Sequence, residues 1–518
     1  MKTIKQIILL VALMAISTLA CEELVDEVPE DRITVENFFT RSSDAEAAII
    51  GAYNFSFRSG NSVNYLFFST RSSDDMTAPL QGQESDRFMW RPNMTTDDGN
   101  VNGLWSDSYQ ALANINLVIQ QVALMDDGVF FNEEFPELDR KSQIIAEAKF
   151  LRAWTYYNMV QYWGGVPLVT EPPTSVEPED YRIPRATRDE IMALVNQDLD
   201  DAERDLPLNY DFEFTGAIQP DDPDAQPTQK GRATVAAAKM LKARIAMQNQ
   251  DWENAIRLSR EVIESGQYPL TERWVNIFDA EVQGSQNASE SILEIQTLAG
   301  AGEFNNTGGY SWFTVDGRPR RGATLEAYDL FEGDEDEIID VRKAESMTQR
   351  RENPNEIFAV KYANAFPWWN PDNGDPFNFI IFRATEAYLN IAEALNEQAY
   401  PNNEAMEIVN RIRRRAQDLQ YNPPTPGIDE WDFSMFPDQA SFRAAIREER
   451  RRELMFEGQR WWDMLRYDAM DNTTIAPAAV GLTNVAPNYN IDETRLLLPI
   501  PDGARVQNPE LIQNIGYQ

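Results

Sequence analysis

The segment from Ser441 to Asp468 constrains the fold more than any other part of the chain, because helix-forming residues and charges follow one helical period through it. The pattern predicts a single interrupted helix. Gly458 breaks the pattern and indicates either a close helix contact or a break in the helix. Helical spacing places three apolar residues on one stripe and four charged residues on the next, namely Leu454, Trp461 and Leu465, and Arg450, Glu453, Glu457 and Arg460.

The stacked charges of this segment have two interpretations. On a solvated face, each ion pair would add only ~0–1 kcal/mol to stability. In a buried network, the charges would fix how the helix docks against other helices, since removal of one partner would strand a buried charge. Trp461 and Trp462 need cover that an exposed helix does not provide, so the buried network is the favoured interpretation.

Composition excludes several classes of function. The 518-residue chain carries 46 Lys and Arg against 84 Asp and Glu, a formal net charge of -38, so nucleic acid and anionic lipid surfaces are not expected partners. The chain has no histidine and one cysteine, Cys21, which removes the usual zinc ligands, Ser-His and Cys-His nucleophile pairs and any intrachain disulfide. Paired-carboxylate chemistry and oxygen-ligand metal sites remain open.

The N-terminal residues have the pattern of a lipoprotein signal. Lys2 and Lys5 precede an apolar run that is too short to span a bilayer comfortably and ends at Ala20. We therefore expect residues 1–20 to be a signal peptide and Cys21 to be the acylated anchor. Acyl chains contribute ~0.8 kcal/mol per buried CH₂, enough for several chains to hold the body on a membrane. No later segment is apolar enough to span.

The remaining sequence predicts a mainly α fold of about four helix pairs in a tetratricopeptide-like scaffold, with long irregular loop insertions and minor β structure. The clearest pair runs from Thr234 to Gln248 and from Asp251 to Ser265. We expect one compact body, in which residues 21–230 hold the first two pairs and residues 231–518 hold the last two pairs and the ligand loops. The tail after Leu498 is predicted to be loop.

Several motifs resemble the SusD/RagB family of surface nutrient-binding lipoproteins. They are ERRRELMFEGQRWWDMLR (449–466), FLRAWTYYNMVQYWGGVPLV (150–169), FRATEAYLNIAEALN (382–396), Ile412-Arg413 with Arg415-Ala416, and LPIPDGARVQNPELIQNIGY (498–517). The resemblance extends over nearly the whole chain. It implies a non-catalytic outer-membrane lipoprotein at the cell surface, which passes bound glycan, or peptide in some branches, to a SusC-like TonB-dependent transporter. Glu22 and Glu23 resemble the acidic export tract of such lipoproteins.

Candidate ligand residues lie in polar segments rich in Gly or Pro. Sugar rings present apolar C–H faces and many hydroxyls, so a glycan site combines exposed aromatic rings with amide or charged side chains. The candidates are Trp90 and Asn93, with Phe88 nearby, then Tyr310 and Trp312, and finally Trp368 and Trp369. The alternative is that these rings fold inward and pin their own loops.

A basic cluster and an acidic turn are weaker candidates. Arg318, Arg320 and Arg321 lie close to Trp312 and could pair with an anionic glycan, although most charge runs are only solvated. Asp372 to Asp375 has oxygen ligands suited to calcium, but a plain turn is the simpler interpretation. The sequence therefore predicts no metal, no cofactor and no catalytic residue.

Three hypotheses for function follow from these observations. The first is glycan capture without chemistry, and the second is peptide capture within the same family. The third is a surface glycoside hydrolase, since 84 acidic residues leave room for a catalytic carboxylate pair. Release of reducing ends from polysaccharides separates the third hypothesis from the first two.

Overall fold

Helices dominate the computed structural model of the chain, as the sequence predicts. The structure describes residues 35–57, 68–76, 94–133, 136, 138–172, 182–210, 231–278, 287–296, 314–315, 318–319, 322–331, 340–350, 353–361, 378–416, 430–471 and 496–517. These residues form fourteen α-helices and seven short strands. The expectation of a mainly α fold with minor β structure is confirmed.

The helices, numbered in chain order, have the following bounds: α1 Val35–Phe38, α2 Ser42–Phe57, α3 Gly99–Leu124, α4 Arg140–Trp163, α5 Arg188–Asp205, α6 Val235–Gln248, α7 Trp252–Glu264, α8 Leu325–Asp329, α9 Val341–Ser346, α10 Ala384–Gln398, α11 Asn403–Ala416, α12 Gln439–Leu454, α13 Arg460–Asp471 and α14 Asp502–Gln507. The strands are β1 Ser291–Ile295, β2 Thr314–Val315, β3 Arg318–Pro319, β4 Gly322–Ala323, β5 Met347–Arg350, β6 Asn353–Ala359 and β7 Phe379–Arg383.

The long helices stack in chain order. Consecutive helices from α2 to α7 pack against each other, α7 then packs against α10, and α10 packs against α11 and α12. This is the arrangement that a tetratricopeptide-like series of helix pairs produces. All seven strands lie in the part of the chain between α7 and α10, so the β structure is inserted into the helical stack.

Local signals in the sequence explain several helix ends. Thr187 and Glu190 form the reciprocal hydrogen bonds of a capping box at the start of α5. Gly164 ends α4 with a φ of 71°, a conformation that glycine adopts without steric cost. Trp105 is buried and lies edge-on to Trp163, with ring centroids 5.1 Å apart, so both rings belong to the core.

The segment Ser441–Asp468 is interrupted around Gly458, as the sequence predicts. It contains the separate helices α12 and α13, joined by a turn in which Phe456 and Gly458 have φ values of 64° and 81°. The charge stripe is therefore not continuous, and Arg460 on α13 pairs with Asp74. The prediction that the tail is entirely loop is wrong, because α14 occupies part of it.

The strands form three small antiparallel sheets. β1 pairs with β7, β2 pairs with β3, and β6 lies between β4 and β5. An isolated bridge also joins Met76 to Ala323 of β4. Within the ranges given above, no helix combines the length and the apolar character needed to cross a membrane.

Candidate functional site

The predicted ligand residues and the predicted anchor lie outside the described residues. They are Trp90, Asn93, Tyr310, Trp312, Arg320, Trp368 and Trp369, and Cys21. The structure does describe the residues that flank the segments in which the predicted ligand residues lie. We call residues 77–93, 297–321 and 362–377 the first, second and third insertions.

The first insertion begins beside the end of the second. Met76, the last described residue before the first insertion, forms a β-bridge with Ala323, which directly follows β4 residue Gly322. The Thr324 N–H donates to the backbone oxygen of Asp75 at 3.0 Å, and the Thr324 hydroxyl donates to that of Asp74 at 2.8 Å. We call the described residues that flank an insertion its base. Two hydrogen bonds and a β-bridge therefore join the base of the first insertion to that of the second.

The second and third insertions meet at both of their ends. Ile295 of β1 pairs with Phe379 of β7, so the second insertion begins where the third one ends. The Asn378 amide strengthens this junction by donating to Gln296 Oε1 at 3.2 Å. At the other end, Gly322 pairs with Phe358 of β6, so the second insertion ends near the start of the third.

A short hairpin lies inside the second insertion. Thr314 pairs with Pro319 and Val315 pairs with Arg318 in the β2–β3 sheet. Trp312 precedes this hairpin and Arg320 follows it in the chain. The pairing brings together Thr314 and Pro319, the described residues nearest in the chain to Trp312 and Arg320.

Glu453 of α12 is the centre of a buried charge cluster beneath these bases. Its carboxylate accepts hydrogen bonds from Arg383 at 2.7 Å, Arg415 at 2.5 Å and Arg342 at 2.9 Å. The indole N–H of Trp274 donates to the same carboxylate at 3.1 Å. Glu453 is fully buried, so each partner joins α12 to a separate part of the fold without competition from water.

Lys361 ties the start of the third insertion to the end of α12. Its ammonium donates to the backbone oxygens of Glu453 and Met455, both at 3.0 Å, and to the Glu457 carboxylate at 2.5 Å. The same ammonium lies 5.0 Å from the ring centroid of Trp274. A cation at a helix C-terminus interacts favourably with the unpaired carbonyl groups there.

Two arginines hold the base of the first insertion. Arg451 of α12 donates to Asp75 Oδ1 at 2.7 Å and to Glu326 at 2.8 Å. Arg460 of α13 donates through two nitrogens to Asp74, at 2.7 and 2.8 Å. The α12–α13 segment therefore contacts the bases of the first and third insertions directly.

The end of the third insertion is held by the same cluster. Arg383, the last residue of β7, donates to Glu457 Oε2 at 2.8 Å and to Glu290 Oε1 at 3.0 Å in addition to Glu453. Glu290 directly precedes β1, which leads into the second insertion. The Glu453 cluster therefore holds the second and third insertions, while Arg451 and Arg460 of the same α12–α13 segment hold the first through a separate set of ion pairs. The buried-network interpretation of the sequence is confirmed.

Burial and ion pairing act in opposite directions on the pKa values of this cluster. Burial favours a neutral Glu453, but Arg415, Arg383 and Arg342 outweigh it and hold the pKa of this carboxyl far below its usual range. For Asp75, burial dominates and raises the pKa despite Arg451. Burial also lowers the pKa of Lys361 to about 8, although Glu457 opposes the shift.

The buried ion pairs of Glu453 and Glu290 are suited to stabilising the fold. Glu453 and Glu290 accept from arginines at hydrogen-bond distance, so neither carboxylate is poised to donate a proton near neutral pH. Sequence reasoning identified α12 and Arg415 but missed Lys361, Arg342 and Glu290. Their polar side chains lie in otherwise unremarkable sequence. The bonds of Lys361 to Glu457, of Arg342 to Glu453 and of Glu290 to Arg383 each join residues more than 90 positions apart.

Comparisons with known proteins match this architecture. The family model described as "SusD family" matches residues 310–517, and a model described as "Starch-binding associating with outer membrane" matches residues 26–217. A SusD-like protein of Formosa agariphila is 26% identical over 571 aligned residues, which cover 99% of each chain.

Solved structures agree with the fold. A SusD homologue from Bacteroides thetaiotaomicron superposes with a TM-score of 0.75 at 21% identity, covering 94% of this chain and 99% of its own. Surface glycan-binding protein A from Bacteroides fluxus superposes with a TM-score of 0.69 at 23% identity, covering 92% and 100%. With two family models that together span most of its length, the chain belongs to the SusD/RagB family.

Proposed function

We propose that the chain captures glycan at the cell surface through its three insertions and delivers it, chemically unchanged, to a partner TonB-dependent transporter. The observation that carries the proposal is the shared base of the insertions. Segments with predicted aromatic platforms start from neighbouring residues, so several weak stacking contacts can act on one polymer.

The ligand class is supported by the relatives. One matching family model is described as starch-binding, and one structural neighbour is named as a glycan-binding protein. Stacking of a sugar on an aromatic ring contributes ~0.5–1.5 kcal/mol beyond area burial, so a site with several rings gives modest but additive affinity. Arg320 would add a preference for an anionic glycan if its guanidinium reaches the ligand.

The location follows from the N-terminal pattern and the family. We propose that Cys21 carries the lipid that tethers the body to the outer membrane, in line with a family model described as associating with the outer membrane. The division of the chain at residues 230 and 231 remains a prediction.

Affinity electrophoresis of the purified protein in gels that contain single polysaccharides tests the proposal. We expect retardation by at least one polysaccharide and no release of reducing ends on prolonged incubation. Turnover would support the hydrolase hypothesis instead. Binding to peptides without retardation by any polysaccharide would support peptide capture.

A further inference from the structure

A small, partly open cavity lies in the helical stack. It is lined by residues of α4, α6, α10, α12 and α13, by Ser69 and by the turn between α12 and α13, and it has a volume of about 30 Å³. A cavity of roughly 10–15 Å³ holds one water molecule, so this one has room for one or two waters or a single halide ion. A sugar ring does not fit.

The cavity wall contains a buried donor without an acceptor. Asn390 of α10 is fully buried, and its Nδ2 group has no hydrogen-bond partner. The orientation of this amide is fixed, because its Oδ1 atom accepts from Arg450 Nη1 at 2.9 Å. A buried N–H group that lacks an acceptor costs free energy, so such a group indicates a bound water or ion.

The charged side chains on the wall are mostly cationic. Four of them line the cavity, namely Arg244, Arg450, Arg466 and Asp463. Asp463 accepts from Arg450 at 2.8 Å and from Arg466 at 2.9 Å, so both of its oxygens are engaged. The wall is therefore electropositive in a chain whose net charge is -38.

The other carboxylates of this cluster stand behind the arginines. Glu386 binds Arg244 at 2.6 and 2.7 Å, and Glu393 binds Arg466 at 2.5 and 2.7 Å, but neither carboxylate lines the cavity. The six charges sum to zero. Arg450 uses Nε and Nη1 for Asp463 and Asn390, and no described residue accepts from its Nη2 group.

We propose that this cavity binds a monovalent anion of halide size, with the Asn390 amide and the Arg450 guanidinium as donors. The anion would join α10 to α12 and so stabilise the helix that contacts the bases of the insertions. A water molecule fits the volume equally well, but it has no net charge to interact with the electropositive wall. The inference does not depend on the nature of the captured nutrient.

Crystals soaked in bromide test the site directly. We expect an anomalous difference peak in the cavity beside Asn390 Nδ2. We also expect the melting temperature to be higher by about 1–3 °C in sodium bromide or chloride than in sodium gluconate of equal ionic strength.

Two variants of buried asparagines on α10 separate specific binding from general salt effects. Asn390→Asp keeps an acceptor for Arg450 but replaces the donor with a negative charge, so the halide-dependent shift should be lost. Asn396→Ala removes another fully buried amide, which does not line the cavity, and should retain the shift. Water alone in the bromide-soaked cavity, or an unchanged shift in Asn390→Asp, would overturn the proposal.

Discussion

Arg383 at the end of β7 donates to the carboxylate of Glu453 on α12 at 2.7 Å, and both side chains are buried. This ion pair joins the strand that follows the third insertion to the helix that contacts the base of the first. A buried pair of this kind adds little net stability compared with packed apolar side chains, but removal of one partner is costly. The positions at which the insertions join the helical stack therefore depend on α12.

Replacement of Glu453 with Gln should lower the free energy of unfolding by about 3–5 kcal/mol, because Arg383, Arg415 and Arg342 lose a shared counter-charge. Urea unfolding followed by circular dichroism measures this loss. Glu404→Gln is the matched control, since Glu404 is half exposed and pairs with Arg260 at the surface. We expect that control to cost ~0–1 kcal/mol. If both variants lost the same free energy of unfolding, the buried ion pairs of Glu453 would matter no more for stability than a surface pair.

The free energy of unfolding should depend on pH through the titration of Lys361. Its pKa of about 8 in the folded protein lies below the ordinary value of 10.5, so the unfolded chain holds more protons between these two pH values. Burial of the ammonium destabilises the fold below pH 8, and this cost is relieved as the pH rises towards 10.5. The contribution is up to roughly 3 kcal/mol. In urea unfolding from pH 7 to pH 10, the wild type should gain stability relative to Lys361→Met as the pH rises. If the free energies of unfolding of the wild type and of Lys361→Met changed with pH in parallel, the lowered pKa of Lys361 would be refuted.

Arg451→Met should loosen the base of the first insertion, because it removes the contacts of Arg451 to Asp75 and Glu326. We expect amide hydrogen exchange in residues 68–76 to increase by about tenfold or more, while exchange in α4 stays unchanged. Mass spectrometry of exchanged peptides measures both regions. Arg505→Met is the control, since Arg505 is only partly buried and its pair with Asp502 is long, at 3.6 Å. Uniform acceleration across the chain would indicate global destabilisation rather than a local tether.

The sequence predicted the helical scaffold well because its signals are local. Helical periodicity and the Thr187 capping box lie within a few residues of the elements they define. The break between α12 and α13 was harder to place, since it depends on the positive φ of Phe456 as well as that of Gly458. The partners of Glu453 are separated from it by as many as 179 residues, so no local pattern reveals them.

The candidate site was predictable only in part. Aromatic residues in Gly-rich or Pro-rich segments indicated three insertions, but their common base depends on strand pairings such as Gly322 with Phe358. Such pairings follow from tertiary structure and not from the residues of either strand alone. Sequence reasoning identified the segments that could carry ligand residues, and the structure revealed which of their ends are neighbours.

The most direct measurement is affinity electrophoresis of the wild type and of a Trp312→Ala, Trp368→Ala, Trp369→Ala variant on a polysaccharide that retards the wild type. Loss of three aromatic platforms should weaken binding by about tenfold or more, while Glu404→Gln binds normally and all proteins keep the same circular dichroism spectrum. Unchanged retardation of the tryptophan variant would contradict capture through the insertions.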